Sequence, residues 1–416
     1  MSGSEAADVP CGAESVRGAS ELHTLFRAFL AVRKLVRALR REVRVAAWPP
    51  GEGAGALDRR SRLEEILALA QEAYGLDNLR LSEAEPHELD SFEQVVSEKL
   101  ALGRWLGAPE VLESERPDAR RRMRQWLAEV AEEAPEAVFG GETIRAPDGA
   151  HLPVYAGGTP SAAPIALVLP CGMPIELSEM WLRRLAGRGR VVAWETRGLF
   201  GRQDDFDAIG VDLDTQAKDL FAVMDHHGIG RSHVVGLCSG AVVAMRAAAL
   251  QPERVSSLSL WNGDYYGLGE DCPRTPYQKG FAALTTMVAR DRERAALVQR
   301  RFLQPAAIAG VDRAWAHLTL YPYANAELLH GFGRLNLPVI ESELAAWIGE
   351  VQVPTLVVTS ETDERAHPEG SQRVSRALPR GQLHTEPEGD HLSVLTVQAH
   401  LVDLAARFSE RHAGQA

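Results

Sequence analysis

A thiol, a carboxylate and an imidazole stand where a chain could place them for nucleophilic chemistry: Cys238, Asp363 and His391. Cys238 lies in Val234-Val235-Gly236-Leu237-Cys238-Ser239-Gly240-Ala241, where strand formers enter a turn flanked by glycines and leave into a small, apolar run to Ala247. This reads as strand, sharp turn and helix, and the residues two positions either side of the turn's tip must be small because strand and helix nearly touch there. Ser239 competes as the nucleophile, since serine is the commoner choice. A nucleophile at 239 would put Leu237 and Ala241 at the flanking positions, so the spacing favours the thiol. A thiolate at a helix N-terminus is stabilised by unpaired backbone N–H groups, and a nearby imidazole can take its proton. The plain alternative is a buried cysteine in an ordinary strand-to-helix turn.

A thiolate nucleophile needs a base, and the base needs an orienting acid. The run Val353 to Ser360 reads as a buried strand that delivers Asp363 at its C-terminal end. Glu386-Pro387-Glu388-Gly389-Asp390-His391-Leu392 then sets a histidine in a loop ahead of a last helix, Val394 to Phe408. His367 and His384 compete for the base, but neither has the Gly-Asp-His-Leu context. Asp264, just after the strand Val255 to Leu260, is the runner-up acid because its loop faces the same sheet edge. No glycine-rich phosphate loop follows a strand and no His/Asp/Glu cluster has metal-ligand spacing, so neither a nucleotide cofactor nor a metal is expected.

The elements that must position these residues come from the rest of the chain. Its 416 residues leave room for one large domain and a smaller one, and 45% hydrophobic with 25% charged residues describes an ordinary globular protein. A net charge of −12 argues against nucleic acid as a partner. Only four basic residues are lysine, which reflects codon usage rather than function. Cys11, Cys171, Cys238 and Cys272 form no C-x-x-C pair, so neither a zinc site nor a disulfide framework is expected and a reducing cytoplasm fits. No signal peptide and no membrane span are read.

Residues 1–19 are polar and Gly-rich and read as a disordered N-terminus. Apolar residues at helical spacing from Leu22 to Val43 predict a long helix over 20–47 with a basic face of Arg27, Arg33, Lys34, Arg37, Arg40, Arg41 and Arg44. A membrane-surface or carrier-protein contact is one use for that face; pairing with the acidic remainder is the simpler one. Helices follow at 58–74, 92–105 and 117–131, so residues 20–135 read as an all-helical extension. From Gly140 the pattern changes to strands and helices in alternation: a hairpin over 142–155, strands at 165–169, 191–194, 233–237, 255–260 and 355–358, and a helix at 212–226. Such alternation specifies a mostly parallel sheet with helices on both faces. It is interrupted over 266–350 by helical segments rich in aromatics (Phe281, Phe302, Trp315, Tyr321, Tyr323, Phe332), as a cap inserted over a sheet edge would be.

With the order nucleophile, acid, histidine in place, residues 140–410 resemble the α/β-hydrolase superfamily, its core divided into 140–265 and 351–410 by the cap. The resemblance implies Cys238 as nucleophile, His391 as general base and acid, and Asp363 as its orienting partner. It also implies an oxyanion hole made by the backbone N–H groups of Ser239 and Met173, the latter following Cys171-Gly172 where relatives carry His-Gly. The stretch Val191 to Gly201, the loop Pro170-Cys171-Gly172-Met173-Pro174 and the long N-terminal helices are most similar to α/β-hydrolase-like proteins of actinobacterial polyketide clusters, in particular those of tetronate formation. That resemblance implies removal of an acetyl group from an acetylated tetronate, by an acyl-enzyme or by acetate elimination to an exocyclic alkene. The alternatives are a thioesterase, acyltransferase or simple esterase acting on a natural-product ester or thioester, with an acyl carrier protein as a partner, and a non-catalytic binding module with the same fold.

Overall fold

The computed structural model describes residues 12–46, 56–105, 117–160, 163–201 and 206–414. The chain forms two units: residues 1–134 with 303–317, and residues 135–302 with 318–416.

In the first unit, helix α1 (Gly12–Leu39) is followed by strand β1 (Val43–Ala46), α2 (Ala56–Tyr74), β2 (Leu79–Ser82), α3 (Ser91–Leu100) and α4 (Pro117–Ala131). The helices lie close to where the apolar periodicity put them, but α1 begins at Gly12, inside the stretch 1–19 read as disordered, and the rest of that stretch, residues 1–11, falls outside the described residues. The unit is not all-helical: β1 and β2 pair in parallel from Val43↔Leu79 to Ala46↔Ser82. Four-residue strands are too short to show a period, and Val43 fits a continued helical stripe as well as it fits a strand. Among the described residues the basic face is largely used internally, with Arg27 on Glu133 and Arg44 on the buried Glu93. The Arg44 pair and the amides of Arg44 and Asp90 hold the Glu93 carboxyl below its ordinary value against the burial that would raise it. Residues 303–317, read from sequence as cap, belong here instead. The Ser91 N–H donates to the Leu303 carbonyl at 3.0 Å, Ile308 is buried, and Arg313 reaches Glu98 at 3.5 Å. Composition alone could not assign this segment, because cap and extension are both helical and apolar.

The second unit is built on strands β3 (Glu142–Arg145), β4 (His151–Gly157), β5 (Ile165–Val168), β6 (Val191–Trp194), β7 (Ser232–Leu237), β8 (Val255–Trp261), β9 (Thr355–Ser360) and β10 (Gly381–Glu386). They form one sheet in the order β3-β4-β6-β5-β7-β8-β9-β10, antiparallel only where β4 meets β3 and β6. Strands β5 to β9 are buried throughout, and alternate residues enter opposite layers: Ile165, Leu167 and Val235 with α5 (Glu179–Ala186), Ala166, Val168 and Val234 with α6 (Leu213–His226) and α7 (Gly240–Leu250). This is the sheet with helices on both faces that the alternation predicts. Strand β10 was not legible, because Gly-Gln-Leu-His-Thr-Glu at a sheet edge is partly exposed and carries no apolar run.

Between β8 and β9 come α8 (Pro276–Arg290), α9 (Arg292–Phe302) and α10 (Ala326–Ile340), and after β9 come α11 (Pro368–Ala377) and α12 (Ala399–His412). The expected last helix from Val394 is broken: a short turn at Ser393–Thr396 ends at Val397, whose φ of +36° no continuous helix accepts, and α12 starts beyond it. Trp181 of α5 fixes that turn, being fully buried, packed edge-on to Trp261 at 4.8 Å, and donating from Nε1 to the Val394 carbonyl at 2.6 Å.

Trp181→Phe keeps most of the apolar surface but leaves that carbonyl unpaired, so it is expected to cost about 1–3 kcal/mol. The measure is a lower urea midpoint at unchanged slope; an unchanged midpoint would show that the bond contributes nothing.

Candidate active site

Cys238 directly follows β7 and has a φ of +51°, a left-handed conformation that costs a non-glycine residue about 1–2 kcal/mol. The turn is held because its neighbours leave no alternative. A Cβ on Gly236 would lie 2.7 Å from Cα of Ala241, and one on Gly240 would lie 2.5 and 2.6 Å from the carbonyl oxygens of Leu169 and Val168. The strand, the helix and the neighbouring strand β5 approach so closely that only hydrogen fits. The Cys238 N–H donates to the Trp261 carbonyl at 2.9 Å, and its carbonyl accepts from Ala241 at 3.0 Å. The thiol therefore stands at the N-terminus of α7, half-buried at the C-terminal edge of the sheet.

The three candidate residues meet. His391 Nε2 is 3.2 Å from Cys238 Sγ, and His391 Nδ1 is 2.9 Å from Asp363 Oδ2. The other carboxylate oxygen of Asp363 accepts from the N–H groups of Arg365 and Ala366, both at 2.8 Å, so the acid is fixed by its own loop. The histidine loop is tied to that loop in turn, since Thr362 Oγ1 donates to the Gly389 carbonyl at 2.7 Å and the Glu361 N–H to the Glu386 carbonyl at 3.0 Å. Asp390 caps the turn after it through the Ser393 N–H at 2.8 Å and does not compete for the imidazole.

Burial acts to lower the pKa of His391. The negative sulfur of Cys238 and the Asp363 carboxylate outweigh it, and the imidazole is held well above its ordinary value. The imidazole thus bridges the sulfur and the carboxylate, and a proton on it is stabilised by both.

The competing residues have other tasks. The Ser239 hydroxyl accepts from the Cys171 N–H at 2.8 Å, which ties the elbow to the loop after β5. His384 pairs with Glu386 at 2.6 Å, and His367 Nδ1 accepts from Glu369 N at 3.2 Å at the start of α11. Asp264 does not touch the imidazole. It is buried, accepts from Gln278 Nε2 at 2.8 Å, and lies within electrostatic reach of both His391 and Asp363. Burial pushes its pKa up to about 6, so it is neutral or ionised close to neutral pH.

Of the two expected oxyanion donors, the Ser239 N–H has no hydrogen-bond partner among the described residues. The Met173 N–H, by contrast, donates to the Pro170 carbonyl at 3.1 Å, and the Gly172 N–H to Thr196 Oγ1 at 2.8 Å. The loop after β5 thus spends its amides on its own turn and on Thr196, and Met173 is not presented as a free donor. Cys171 is buried with its pKa pushed up to about 12 chiefly by that burial, so it is a neutral thiol.

Sequence reasoning missed a second ring of residues. Gln278, Tyr266 and Thr275 join the Asp264 loop to the Asp363 loop: Gln278 Oε1 accepts from the N–H groups of Thr275 at 3.1 Å and His367 at 3.2 Å, Tyr266 donates to the Gln278 carbonyl at 3.2 Å, and Thr275 Oγ1 donates to the Arg365 carbonyl at 2.8 Å. The signal was present as Thr275-Pro276-Tyr277-Gln278, a helix-start pattern. Of the cap aromatics, Tyr277, Phe281, Phe332, Tyr323 and Phe302 form a chain of ring contacts 4.4–6.2 Å apart. Phe332 fills the space that a Cβ on Gly172 would need, so this wall reaches the loop beside the elbow.

A group able to hold a metal occurs at the surface, away from the thiol in sequence and sheet. Glu142, His226 and His227 bring ligand atoms within 4.8 Å of one another, a juxtaposition of β3 with the end of α6 that linear spacing did not show. His226 already pairs with Glu142 at 2.8 Å.

Residues 166–406 match the profile of the Alpha/beta hydrolase family. The chain is 30% identical over 301 residues to the dihydrolipoyllysine-residue acetyltransferase component of an acetoin cleaving system of Pseudomonas putida, covering 67% of this chain and 75% of that protein. It is 26% identical over 274 residues to the polyketide synthase ThaQ of Burkholderia thailandensis, covering 63% of this chain and 12% of that protein. Among solved structures, the esterase EaEST of Exiguobacterium antarcticum superposes with a TM-score of 0.52 at 18% identity, over 65% of this chain and 99% of that one. No helix among the described residues is long and apolar enough to cross a membrane.

His391 binds its proton more tightly folded than unfolded, so the stabilisation is fully present below the ordinary imidazole value of 6.5 and is lost as pH rises through the higher folded value. Asp363→Asn is therefore expected to cost about 1–2 kcal/mol more near about pH 6 than near about pH 10. Urea titrations at the two pH values check this; an equal cost at both would mean that Asp363 does not stabilise the imidazolium.

Proposed function

Because the chain belongs to the alpha/beta hydrolase family, we propose that it is a cysteine-dependent enzyme of acyl chemistry on an ester or thioester of a polyketide-type natural product, with an acetyl ester of a tetronate intermediate as the leading substrate. The observation that carries the reading is the contact relay from Cys238 through His391 to Asp363. Sulfur attacks the acyl carbon, and the tetrahedral oxygen is met by the Ser239 N–H at the start of α7. When the bond to the alcohol breaks, the His391 imidazolium gives its proton to the departing oxygen. The neutral imidazole then takes a proton from water, which attacks the thioester. Cys238 leaves as thiolate with the proton back on His391, and the ion pair is restored.

Direct elimination of acetate by His391 is the second reading of the same site, and the imidazolium argues against it. A ring that holds its proton has to give it up before it can take one from carbon. The polyketide context is supported by the Pro170–Pro174 loop, the Val191–Gly201 stretch and the similarity to a segment of ThaQ. An acyl carrier protein presenting the substrate is part of the proposal.

Brief exposure to an activated acetyl ester followed by intact-mass measurement is expected to show one acetyl adduct, mapping to Cys238 and absent in Cys238→Ala. With an acetylated tetronate, the expected products are the free alcohol and acetate. An unsaturated product with no adduct would transfer the assignment to elimination. A wild-type thiol that gains no adduct and also resists iodoacetamide near neutral pH would remove Cys238 from the chemistry.

A further inference from the structure

The relay makes no use of Glu142, His226 and His227. His226 is the last residue of α6 and His227 caps that helix, so one helix end carries two imidazoles in succession. Glu142 opens β3, the outermost strand of the sheet, and is 84 residues from His226 in sequence. The fold brings one nitrogen of each ring and one oxygen of the carboxylate within 4.8 Å of one another. His226 Nε2 meets Glu142 Oε1 at 2.8 Å, and the two rings stand edge to face with centroids 4.9 Å apart.

An ordinary ion pair accounts for Glu142 and His226 but not for His227. The Nε2 of His227 is buried with no hydrogen-bond partner among the described residues, whereas a buried ring nitrogen normally has one. Neighbouring groups are engaged elsewhere: Asp225 accepts from Arg254 at 2.6 Å, Arg190 donates to the His227 carbonyl, and the His227 N–H donates to the Val223 carbonyl at 3.2 Å.

Two imidazoles and one carboxylate are a donor set for zinc and similar transition ions, while magnesium and calcium prefer oxygen throughout. Tetrahedral zinc with bonds of about 2.0–2.2 Å sets its ligand atoms about 3.3–3.5 Å apart. The Glu142–His226 contact would open by about half an ångström to admit the ion, an easy movement for two exposed side chains. The position also suits a clamp. Strand β3 pairs only with β4, and three of its four residues are exposed. The turn of this hairpin is already tied to α6, because the buried Arg197 donates to both Asp148 and Asp219. Its open end, at Glu142, meets α6 only through the histidines among the contacts described here.

We propose that Glu142, His226 and His227 form a three-ligand site for a divalent transition ion, zinc by its donor set, which clamps the edge strand β3 to the end of α6 and leaves a fourth position to water. The site is independent of the acyl-ester reading.

The test is calorimetric titration of the untagged, metal-free chain with zinc chloride, together with thermal unfolding with and without zinc. Wild type is compared with Glu142→Gln, His227→Gln and the double variant His226→Asn/His227→Gln. Cys238→Ala is the control, because a thiol beside an imidazole is the other place that zinc would go. Wild type and Cys238→Ala are expected to share a site for one zinc whose occupation raises the unfolding midpoint and slows amide exchange over residues 142–145. Each ligand variant should bind there about 10- to 100-fold more weakly or not at all, with an unfolding midpoint that zinc no longer moves. Zinc-free midpoints close to that of the wild type show that the variants are folded. Equal zinc affinity in wild type and the ligand variants overturns the proposal, as does binding that disappears in Cys238→Ala and persists in His227→Gln.

Discussion

The left-handed backbone at Cys238 is the constraint on which the site depends. A residue with a Cβ occupies that conformation only because β5, β7 and α7 converge on Gly236 and Gly240 with no room for a further atom. The cost of the turn is carried by the packing of the sheet, and its product is a sulfur standing clear of the strand edge at the start of a helix. Everything else in the second unit can be understood as bringing partners to that fixed point.

The sheet order does this with little freedom. Parallel neighbours β7, β8 and β9 end on the same edge, so the Asp264 and Asp363 loops emerge beside the elbow in succession, and β10 returns the chain so that the histidine loop falls back across both. The loops then lock one another. Thr362 holds Gly389, Thr275 holds Arg365, and Gln278 holds Asp264, Thr275 and His367 together. A histidine donated by a loop acquires in this way the positional definition of a residue on a strand.

The sequence makes the relay legible because each of its members carries local punctuation: glycines around Cys238, a buried strand before Asp363, and Gly389 ahead of His391. It also gives the central sheet, whose apolar strands alternate with helices. It is silent where position is decided by distant partners. The pairing of β1 with β2 joins two four-residue strands with no period of their own, and residues 303–317 leave the cap because of what α3 offers them. The Met173 N–H reads as an oxyanion donor by resemblance, yet in this loop it closes on Pro170, a hydrogen bond no spacing rule foretells.

The engaged Met173 amide bears on the proposal that the nucleophile is the sulfur of Cys238. An alkoxide-forming serine relies on a base at the moment of attack and on strong stabilisation of the oxyanion that follows. A thiolate already paired with an imidazolium is charged before substrate arrives, and its attack moves that charge onto the substrate oxygen rather than creating it. In the proposed reaction His391 and Asp363 hold the charge before attack, and the Ser239 N–H meets the oxygen on which it arrives. With the Ser239 N–H as the expected oxyanion donor left unpaired among the described residues, the proposed attack suits a carbonyl with a good leaving group, such as an enol ester, an activated acetate or a thioester. Under that proposal a protonated His391 offers no free base to the substrate's carbon acids, and addition of sulfur comes before any proton abstraction by the ring.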